Sequence, residues 1–335
     1  MKPKEFQFLV LNTQADWERG DLQNLAVDDE GVRLKSGLQF VAEHKLSAVE
    51  VTDLALGDLA QVYGLDANNR RIVQFDSQQN YAESIDVFQD RFVQPTHIAY
   101  SRPNIYVADE FKPSEFTYQT RIYAFAERLN WQIRWVVTLP AGVGVVDLAA
   151  DRKGTLYVLL NIGEQIIVKY APSGRPIPTA GFARGELRAP QAIALAPNQD
   201  NPADQDICVL DTEAVVRFKS DGNLAELQPI LDLGERLPDS VQPSGLAVDS
   251  DGNLYIGDRR PRSVGEEEER FIFCLDPSAD TATPVVGYRG AAAKLALDRT
   301  HRLCILNPER REINILRGEK RFLRTQRQNL LVCQI

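Results

Sequence analysis

Short apolar stretches separated by turns return at a regular spacing along most of this chain. Each unit holds an apolar pair, a turn, a β-rich stretch such as Leu254-Tyr255-Ile256, a second turn and another β-rich stretch. Aligning the units puts the following residues in one column: Tyr63, Tyr106, Tyr157, Cys208, Tyr255 and Cys304. Repeats of roughly 40 to 50 residues with several strands per unit are typical of propeller blades.

The last β-rich stretch of each unit also repeats, in residues 71–75, 121–125, 165–170, 214–218, 271–275 and 312–316. Apolar residues alternate with polar ones there, which predicts half-buried strands. Because one blade cannot bury both of its faces, the units must pack side by side in a closed ring. The pattern predicts an all-β, six-bladed β-propeller whose ring is closed by terminal strands. Candidate closing strands are residues 6–11, 31–34 and 328–333.

The fifth unit, residues 242–258, carries the sequence Gln-Pro-Ser-Gly-Leu-Ala-Val-Asp-Ser-Asp-Gly-Asn-Leu-Tyr-Ile-Gly-Asp. It resembles the NHL-repeat β-propeller family, and the likeness extends over residues 46–318. The position of the Asp251-Gly252 pair has a physical explanation. A hairpin between the two inner strands needs a residue that tolerates positive φ, and glycine is such a residue.

The chain of 335 residues is interpreted as one domain, residues 1–335. Residues 1–45 would supply N-terminal closing strands, residues 46–318 six repeats and residues 319–335 a C-terminal closing strand. Six blades and the closing strands leave little room for a second domain.

The composition of the chain argues against some classes of binding partner. The net charge of −9 argues against nucleic-acid binding, and no apolar run approaches the length of a membrane span. The basic start lacks a long apolar run and a cleavage site, so a cytoplasmic location is expected. The four cysteines are far apart and inside predicted strands, which favours buried free thiols.

Two columns of polar residues invite a chemical interpretation. Asp66, Asp109, Asp211, Asp258 and Asn307 follow the second strand of their units. A residue at the same place in nearly every blade is expected to tie loops together through backbone hydrogen bonds. The other column lies near the start of the innermost strands and should surround one mouth of the central channel; it consists of Asp53, His97, Asp147, Ala192, Gly245 and Lys294.

This second column, called the mouth ring below, supports two interpretations. Asp53, His97 and Asp147 carry ligand types that bind zinc, manganese or iron. The NHL resemblance implies the same possibility, because similar propellers include metal-dependent lyases and hydrolases with sites at the channel mouth. The alternative is a salt-bridged polar plug with no function, to which Lys294 contributes a cation. We expect the plug, and therefore no catalytic residue, metal or cofactor.

Surface loops supply the candidate partner-binding residues. Blade two has an insertion at residues 109–120 with Phe111, Phe116 and Tyr118, which either contact a partner or fold back onto the blade. Blade five has a loop at residues 259–270 whose charges either are simply solvated or register a partner. The candidates there are Arg259, Arg260, Arg262, Glu267 and Glu268.

The N-terminal segment has Phe8-Leu9-Val10-Leu11, then Trp17, and then residues 20–34 with Asn24-Leu25 and a glycine turn. This pattern resembles proteins associated with phage tails and phage-tail-like contractile injection systems, although residues 24–31 fit a half-blade of the same repeat equally well.

These observations lead to the expectation of a non-enzymatic scaffold that contacts other protein subunits of a large assembly, at the baseplate of a contractile injection system. The alternative is a metal-dependent NHL-type lyase or hydrolase with its site at the channel mouth. A third interpretation is a free-standing binding module for peptide or carbohydrate. Fold alone does not separate these functions.

Overall fold

The computed structural model describes the backbone of most of the chain. The described residues are 25–28, 31–34, 38–45, 50–58, 61–75, 81–85, 91–114, 117–127, 131–163, 166–179, 181–182, 185, 187–198, 204–225, 230–238, 240–259, 269–276, 282–289, 292, 294–297, 302–307 and 312–318. Within them no helix has the length and apolarity required to cross a bilayer.

The described strands form six four-stranded antiparallel sheets and one separate hairpin. The hairpin pairs β1 (Leu25–Asp28) with β2 (Gly31–Leu34), and β3 (Leu38–Lys45) follows it. Blade 1 holds β4 (Val51–Leu56), β5 (Val62–Asp66), β6 (Arg71–Phe75) and β7 (Tyr81–Ile85). Blade 2 holds β8 (Gln94–Ser101), β9 (Asn104–Ser114), β10 (Thr117–Ala126) and β11 (Gln132–Thr138). Blade 3 holds β12 (Val145–Ala150), β13 (Leu156–Leu160), β14 (Ile167–Tyr170) and β15 (Pro176–Ile177).

The remaining blades follow the same plan. Blade 4 holds β16 (Ala192–Pro197), β17 (Gln205–Leu210), β18 (Ala214–Phe218) and β19 (Ile230–Asp232). Blade 5 holds β20 (Pro243–Val248), β21 (Leu254–Asp258), β22 (Glu269–Leu275) and β23 (Thr283–Arg289). Blade 6 combines β24 (Lys294–Leu297), β25 (Arg302–Asn307) and β26 (Glu312–Gly318) with β3.

The inner strands β4, β8, β12, β16, β20 and β24 contact one another in this order, and β24 returns to β4. The prediction of a six-bladed propeller is therefore confirmed. Closure by a terminal strand is confirmed too, because β3 pairs with β26 as the outer strand of blade 6.

The closing strand differs from those named from the sequence. Residues 31–34 form β2, which pairs with β1 and belongs to no blade. Residues 6–11 and 328–333 lie outside the described residues, as do residues 319–335.

Apolar side chains fill the space between neighbouring blades. The column of aromatic and cysteine residues predicted from the repeat is buried in all six blades. Among its members, Tyr63 packs with Ile72 and Ile98 between blades 1 and 2, and Cys304 packs with Leu54 and Val73 between blades 6 and 1. Each blade thus buries its faces only because its neighbours are present, as the ring argument requires.

The cysteines Cys208, Cys274 and Cys304 are buried inside the core, as predicted. Burial raises the pKa of the Cys208 thiol to about 12. Cys333 lies outside the described residues.

The turn between the first two strands of blade 5 contains a glycine with positive φ, as predicted. Gly252 has φ of +90°, which glycine adopts without steric cost. The Asp249 carboxylate accepts the backbone N–H groups of Asp251 and Asn253 at 2.8 and 2.9 Å. This hairpin is therefore held by its own side chains and serves the fold.

The aspartate column is also structural. Asp109 Oδ1 accepts the N–H groups of Val93 and Gln94 at 2.9 and 2.8 Å, on the segment that leads into the inner strand of the same blade. Asp211 makes the equivalent pair of bonds to the N–H groups of Arg188 and Ala189. The predicted role of tying loops to the blade is confirmed at these positions.

Candidate functional site

The mouth ring lies at the end of the channel where the inner strands begin, which we call the N-terminal mouth. The opposite end, where hairpins join the first and second strands of each blade, is called the hairpin mouth. Asp53, His97, Asp147 and Lys294 come from blades 1, 2, 3 and 6, and the structure brings their polar groups together. Ala192 and Gly245 add no polar side chain.

Both aspartates of the ring hold neighbouring blades together. Asp53 Oδ1 accepts the N–H of Leu54 at 2.8 Å, and Oδ2 accepts the N–H of Ile98 on blade 2 at 2.9 Å. Asp147 repeats this arrangement one blade further on, accepting Leu148 N–H at 2.8 Å and Ile193 N–H of blade 4 at 3.0 Å. Both carboxylates are almost fully buried. Each carboxylate therefore links two neighbouring inner strands through hydrogen bonds.

Lys294 supplies the positive charge between these carboxylates. Its Nζ donates to Asp147 Oδ1 and lies 3.6 Å from Asp53 Oδ1. The mouth ring is thus closed by a side chain that reaches from blade 6 to blades 1 and 3.

Charges in the ring stabilise one another. Burial alone would lower the pKa of Lys294, but the carboxylates of Asp147 and Asp53 outweigh it and raise that pKa to about 12. Burial opposes the charge of Asp53 as well, yet Lys294, His97 and the N–H of Ile98 hold the Asp53 pKa below its ordinary value. Lys294 is therefore a cation and Asp53 an anion at neutral pH.

His97 is the accessible member of the ring. Its Nδ1 lies 3.5 Å from Asp53 Oδ2, and a quarter of its side chain is exposed. A carboxylate beside one ring nitrogen orients the imidazole and favours the tautomer with the proton on that nitrogen. His97 is thus a partly exposed imidazole held by a buried carboxylate.

The residues do not fit the divalent cation that the NHL resemblance implies. Ligand atoms of Asp53, His97 and Asp147 do lie within 4.8 Å of one another. However, all four carboxylate oxygens already accept backbone N–H groups, and the Lys294 ammonium contacts both carboxylates. A second cation would have to displace Lys294 and would meet its positive charge. The polar cluster is built around the chain's own cation.

The partner-binding candidates of blade 2 lie on a β-hairpin and not in a long loop. In residues 109–120, β9 continues to Ser114 and β10 begins at Thr117. Phe111 lies under the guanidinium of Arg121, 3.7 Å from ring centroid to Cζ, and Lys112 Nζ lies 4.5 Å from the Tyr118 centroid. Tyr118 is half exposed.

Most of the other partner-binding candidates lie outside the described residues. These are Phe116, Arg260, Arg262, Glu267 and Glu268. Arg259 is exposed, and its backbone N–H donates to Gln242 O at 2.9 Å. None of the three described candidates, Phe111, Tyr118 and Arg259, belongs to the mouth ring.

One feature of the channel was missed from the sequence although its signal is plain. Two residues after each mouth-ring position, every inner strand has an alanine, and these residues form what we call the alanine ring: Ala55, Ala99, Ala149, Ala194, Ala247 and Ala296. All of them line the channel. An identical small residue in every repeat indicates a place where six strands approach one axis.

Comparisons with known proteins identify the fold. No protein-family model matches the chain, and no characterised protein matches it by sequence. Solved structures do match. They include a gluconolactonase from Xanthomonas campestris, at 14% identity over 84% of this chain and 89% of the other, with a TM-score of 0.58. The PQQ-bound aldose sugar dehydrogenase of Streptomyces coelicolor matches at 13% identity over 83% and 98%, with a TM-score of 0.53.

The virginiamycin B lyase of Staphylococcus aureus matches at 12% identity over 84% of this chain and 100% of the other, with a TM-score of 0.51. At such identities the likeness shows the propeller fold. The three structures are enzymes and none is a phage-tail component. The prediction of a non-enzymatic baseplate scaffold is therefore corrected, and the phage-tail resemblance of the N-terminal segment is not supported.

Proposed function

We propose that this chain is a hydrolase or lyase whose reaction takes place at the N-terminal mouth of the channel. The observation that carries the proposal is the cluster of His97, Asp53 and Lys294. It combines an accessible imidazole, a carboxylate 3.5 Å from Nδ1, and a buried ammonium within 3.6 Å of the same carboxylate.

Each member has a definite role in such a reaction. His97 acts as general base and then as general acid, because an imidazole nitrogen can accept a proton and donate it again. Asp53 is a positioning residue that holds the imidazole. Lys294 is a second positioning residue, because its ammonium keeps the Asp53 carboxylate ionised and in place beside the imidazole. Hydrolysis of a lactone and elimination from a carbonyl compound both need these roles.

The name of one structural neighbour, gluconolactonase, makes lactones the first substrates to test. We expect wild-type protein to hydrolyse members of a lactone panel, followed by proton release in a weakly buffered solution. His97→Gln should reduce kcat/KM by about 10²- to 10⁴-fold, the usual contribution of general acid–base catalysis. Tyr118→Ala, on the exposed hairpin, is the matched control and should retain wild-type rates.

Two results would contradict the proposal. One is the absence of turnover by wild-type protein on lactones, esters and carbonyl compounds prone to elimination. The other is an activity that survives His97→Gln unchanged. Circular dichroism and thermal unfolding of each variant separate a lost catalyst from a lost fold.

A further inference from the structure

The channel below Lys294 is a cavity of about 410 Å³. Its lining comes from all six blades and runs from Lys294 to the exposed residues Asp58, Arg102 and Arg152 at the hairpin mouth. Asp53, His97 and Asp147 are not part of the lining. Lys294 lines the cavity at its N-terminal end, and the exposed residues at the hairpin mouth line it at the other, so we call the cavity the shaft. Its volume falls within the range of small-molecule sites.

Apolar side chains form part of the wall. The alanine ring is followed one residue later by a second set of six residues, here called the collar, which is partly exposed in every blade: Leu56, Tyr100, Ala150, Leu195, Val248 and Leu297. The alanine ring keeps side chains short at one level of the shaft, and the larger side chains of the collar lie nearer the hairpin mouth. Tyr100 is the aromatic member of the collar, and its ring stacks on Tyr63 at 5.2 Å.

Backbone groups form the rest of the wall. Each inner strand is the terminal strand of its sheet and is paired on one side only. The opposite edge, with its N–H and C=O groups, therefore faces the channel. A hydrocarbon ligand would remove water from these groups without replacing its hydrogen bonds, which costs free energy. A ligand with many hydroxyl groups replaces those hydrogen bonds while its C–H groups contact the alanine methyls.

Charge in the lining favours a neutral ligand. Its ionisable residues are three cations and three carboxylates, namely Arg102, Arg152, Lys294, Asp58, Asp151 and Asp249. Lys294 contacts the mouth-ring carboxylates, and Asp151 and Asp249 accept backbone N–H groups of their own hairpins. Counted together, the three cations and three carboxylates give the lining no net charge that would select an anion or a cation.

We propose that this shaft, which shares only Lys294 with the mouth ring, is a second binding site for a small neutral polyhydroxylated molecule such as a monosaccharide or a linear polyol. The site combines hydroxyl-binding backbone edges, small apolar contacts and an aromatic ring at its opening.

The test is saturation-transfer NMR on the full chain with D-glucose, D-sorbitol and glycerol, and with octanoate and tetramethylammonium as charged comparators. We expect at least one of the first three to bind with a Kd in the low millimolar range, about −4 kcal/mol of binding free energy for 1 mM. The charged comparators should bind at least tenfold more weakly.

Ala150→Leu is the decisive variant. Three other blades already have leucine at the collar position, so this substitution suits the fold while it narrows the opening. It should weaken polyol binding at least tenfold, and Ala296→Leu in the alanine ring should do the same. His97→Gln, at the opposite mouth, should leave polyol binding unchanged, so the site is tested independently of catalysis.

Three outcomes would overturn the proposal: no saturation transfer to any polyol at about 100 mM, well above the expected Kd; polyol binding that Ala150→Leu leaves unchanged; or tighter binding of octanoate than of the polyols. Thermal unfolding of the two alanine variants shows whether each one has folded.

Discussion

Lys294 Nζ donates a hydrogen bond to Asp147 Oδ1 although the two residues belong to blades 6 and 3, which face each other across the channel. The same ammonium lies 3.6 Å from Asp53 Oδ1 on blade 1. One side chain therefore links three blades and provides the charge that two buried carboxylates require. This arrangement explains why the mouth ring needs no external cation.

Removing this ammonium should turn the mouth ring into a metal site. In Lys294→Met, two buried carboxylates and His97 face one another without a cation, and loss of one partner from a buried ion pair costs about 3–5 kcal/mol. We expect a lower Tm at pH 7 that added Zn²⁺ or Mn²⁺ partly restores, and about one bound ion per chain by calorimetry. Wild-type protein should bind none tightly.

The matched control is Lys294→Met combined with Asp147→Asn, which should lose the ion because one carboxylate ligand is gone. Tight stoichiometric binding of a divalent cation by wild-type protein would contradict the interpretation of Lys294 as the resident cation.

Replacing Asp53 by asparagine should weaken the ring most at neutral pH. An amide cannot accept both N–H groups and also balance Lys294, so we expect a loss of about 2–3 kcal/mol in unfolding free energy at pH 7. The folded-state pKa of Asp53 lies below its ordinary value near 3.8. Its contribution is therefore present above that ordinary value and is lost as pH falls through the lower folded-state pKa.

Urea unfolding of Asp53→Asn at pH 7 and at about pH 3 measures this difference, which should shrink at the lower pH. Asp204→Asn is the control, since Asp204 is exposed and lies 3.4 Å from the exposed Lys153 ammonium. A surface pair of this kind contributes little. Equal losses for the two variants would argue against the inter-blade role of Asp53.

The fold was predictable because the same pattern of strands and turns recurs along the chain, and not because of any single contact. Residues 71–75 and 214–218 were predicted as strands from alternation, and they coincide with β6 and β18. Both strands are recognisable because most of their side chains are apolar and pack against the neighbouring blades, as Ile72 and Val73 do in β6. The closing strand β3 was missed, since an outer strand with Glu43, His44 and Lys45 has no clear apolar period.

The mouth ring was predicted as a set of positions, but its contacts were not. Spacing along the repeat places Asp53, His97, Asp147 and Lys294 around one axis. Whether the lysine side chain reaches the opposite blade depends on the diameter of the ring and on the rotamer, and neither is encoded in a local pattern. The choice between a metal site and a polar plug therefore needed atomic positions.

Tyr106 and Tyr157 occupy the same column but should differ in their contribution to stability. Tyr106 O–H donates to Gly154 O on the next blade at 2.8 Å, whereas Tyr157 O–H lies 3.4 Å from Asp151 Oδ2 of its own blade. We expect Tyr106→Phe to cost about 1–2 kcal/mol because it leaves a buried carbonyl without this donor. Tyr157→Phe should cost less than half as much. Thermal unfolding of both variants checks the ranking, which equal losses would refute.

The contribution of Asp109 to the free energy of unfolding should become more favourable as the pH falls from 7 toward 4. At lower pH, protonation of other carboxylates should lower the stability of the protein. Burial raises the pKa of Asp109 to about 6, although the N–H groups of Gln94 and Val93 favour its charged form. Within the described residues its Oδ2 is buried and has no hydrogen-bond partner. Because the folded-state pKa exceeds the unfolded value of 3.8, folding takes up a proton between these pH values.

Asp109→Asn removes this titration and keeps an oxygen that can accept the two N–H groups now bound by Oδ1. The variant should therefore be as stable as wild type or more so at pH 7, by up to about 2–3 kcal/mol, with the difference disappearing near pH 4. Asp211→Asn is the matched comparison, because both oxygens of Asp211 accept backbone N–H groups and its replacement should destabilise. Urea unfolding across pH 4 to 8 distinguishes the two variants. If Asp109→Asn lost as much unfolding free energy at pH 7 as Asp211→Asn, the prediction would be wrong, because burying the Asp109 carboxylate would then carry no free-energy cost.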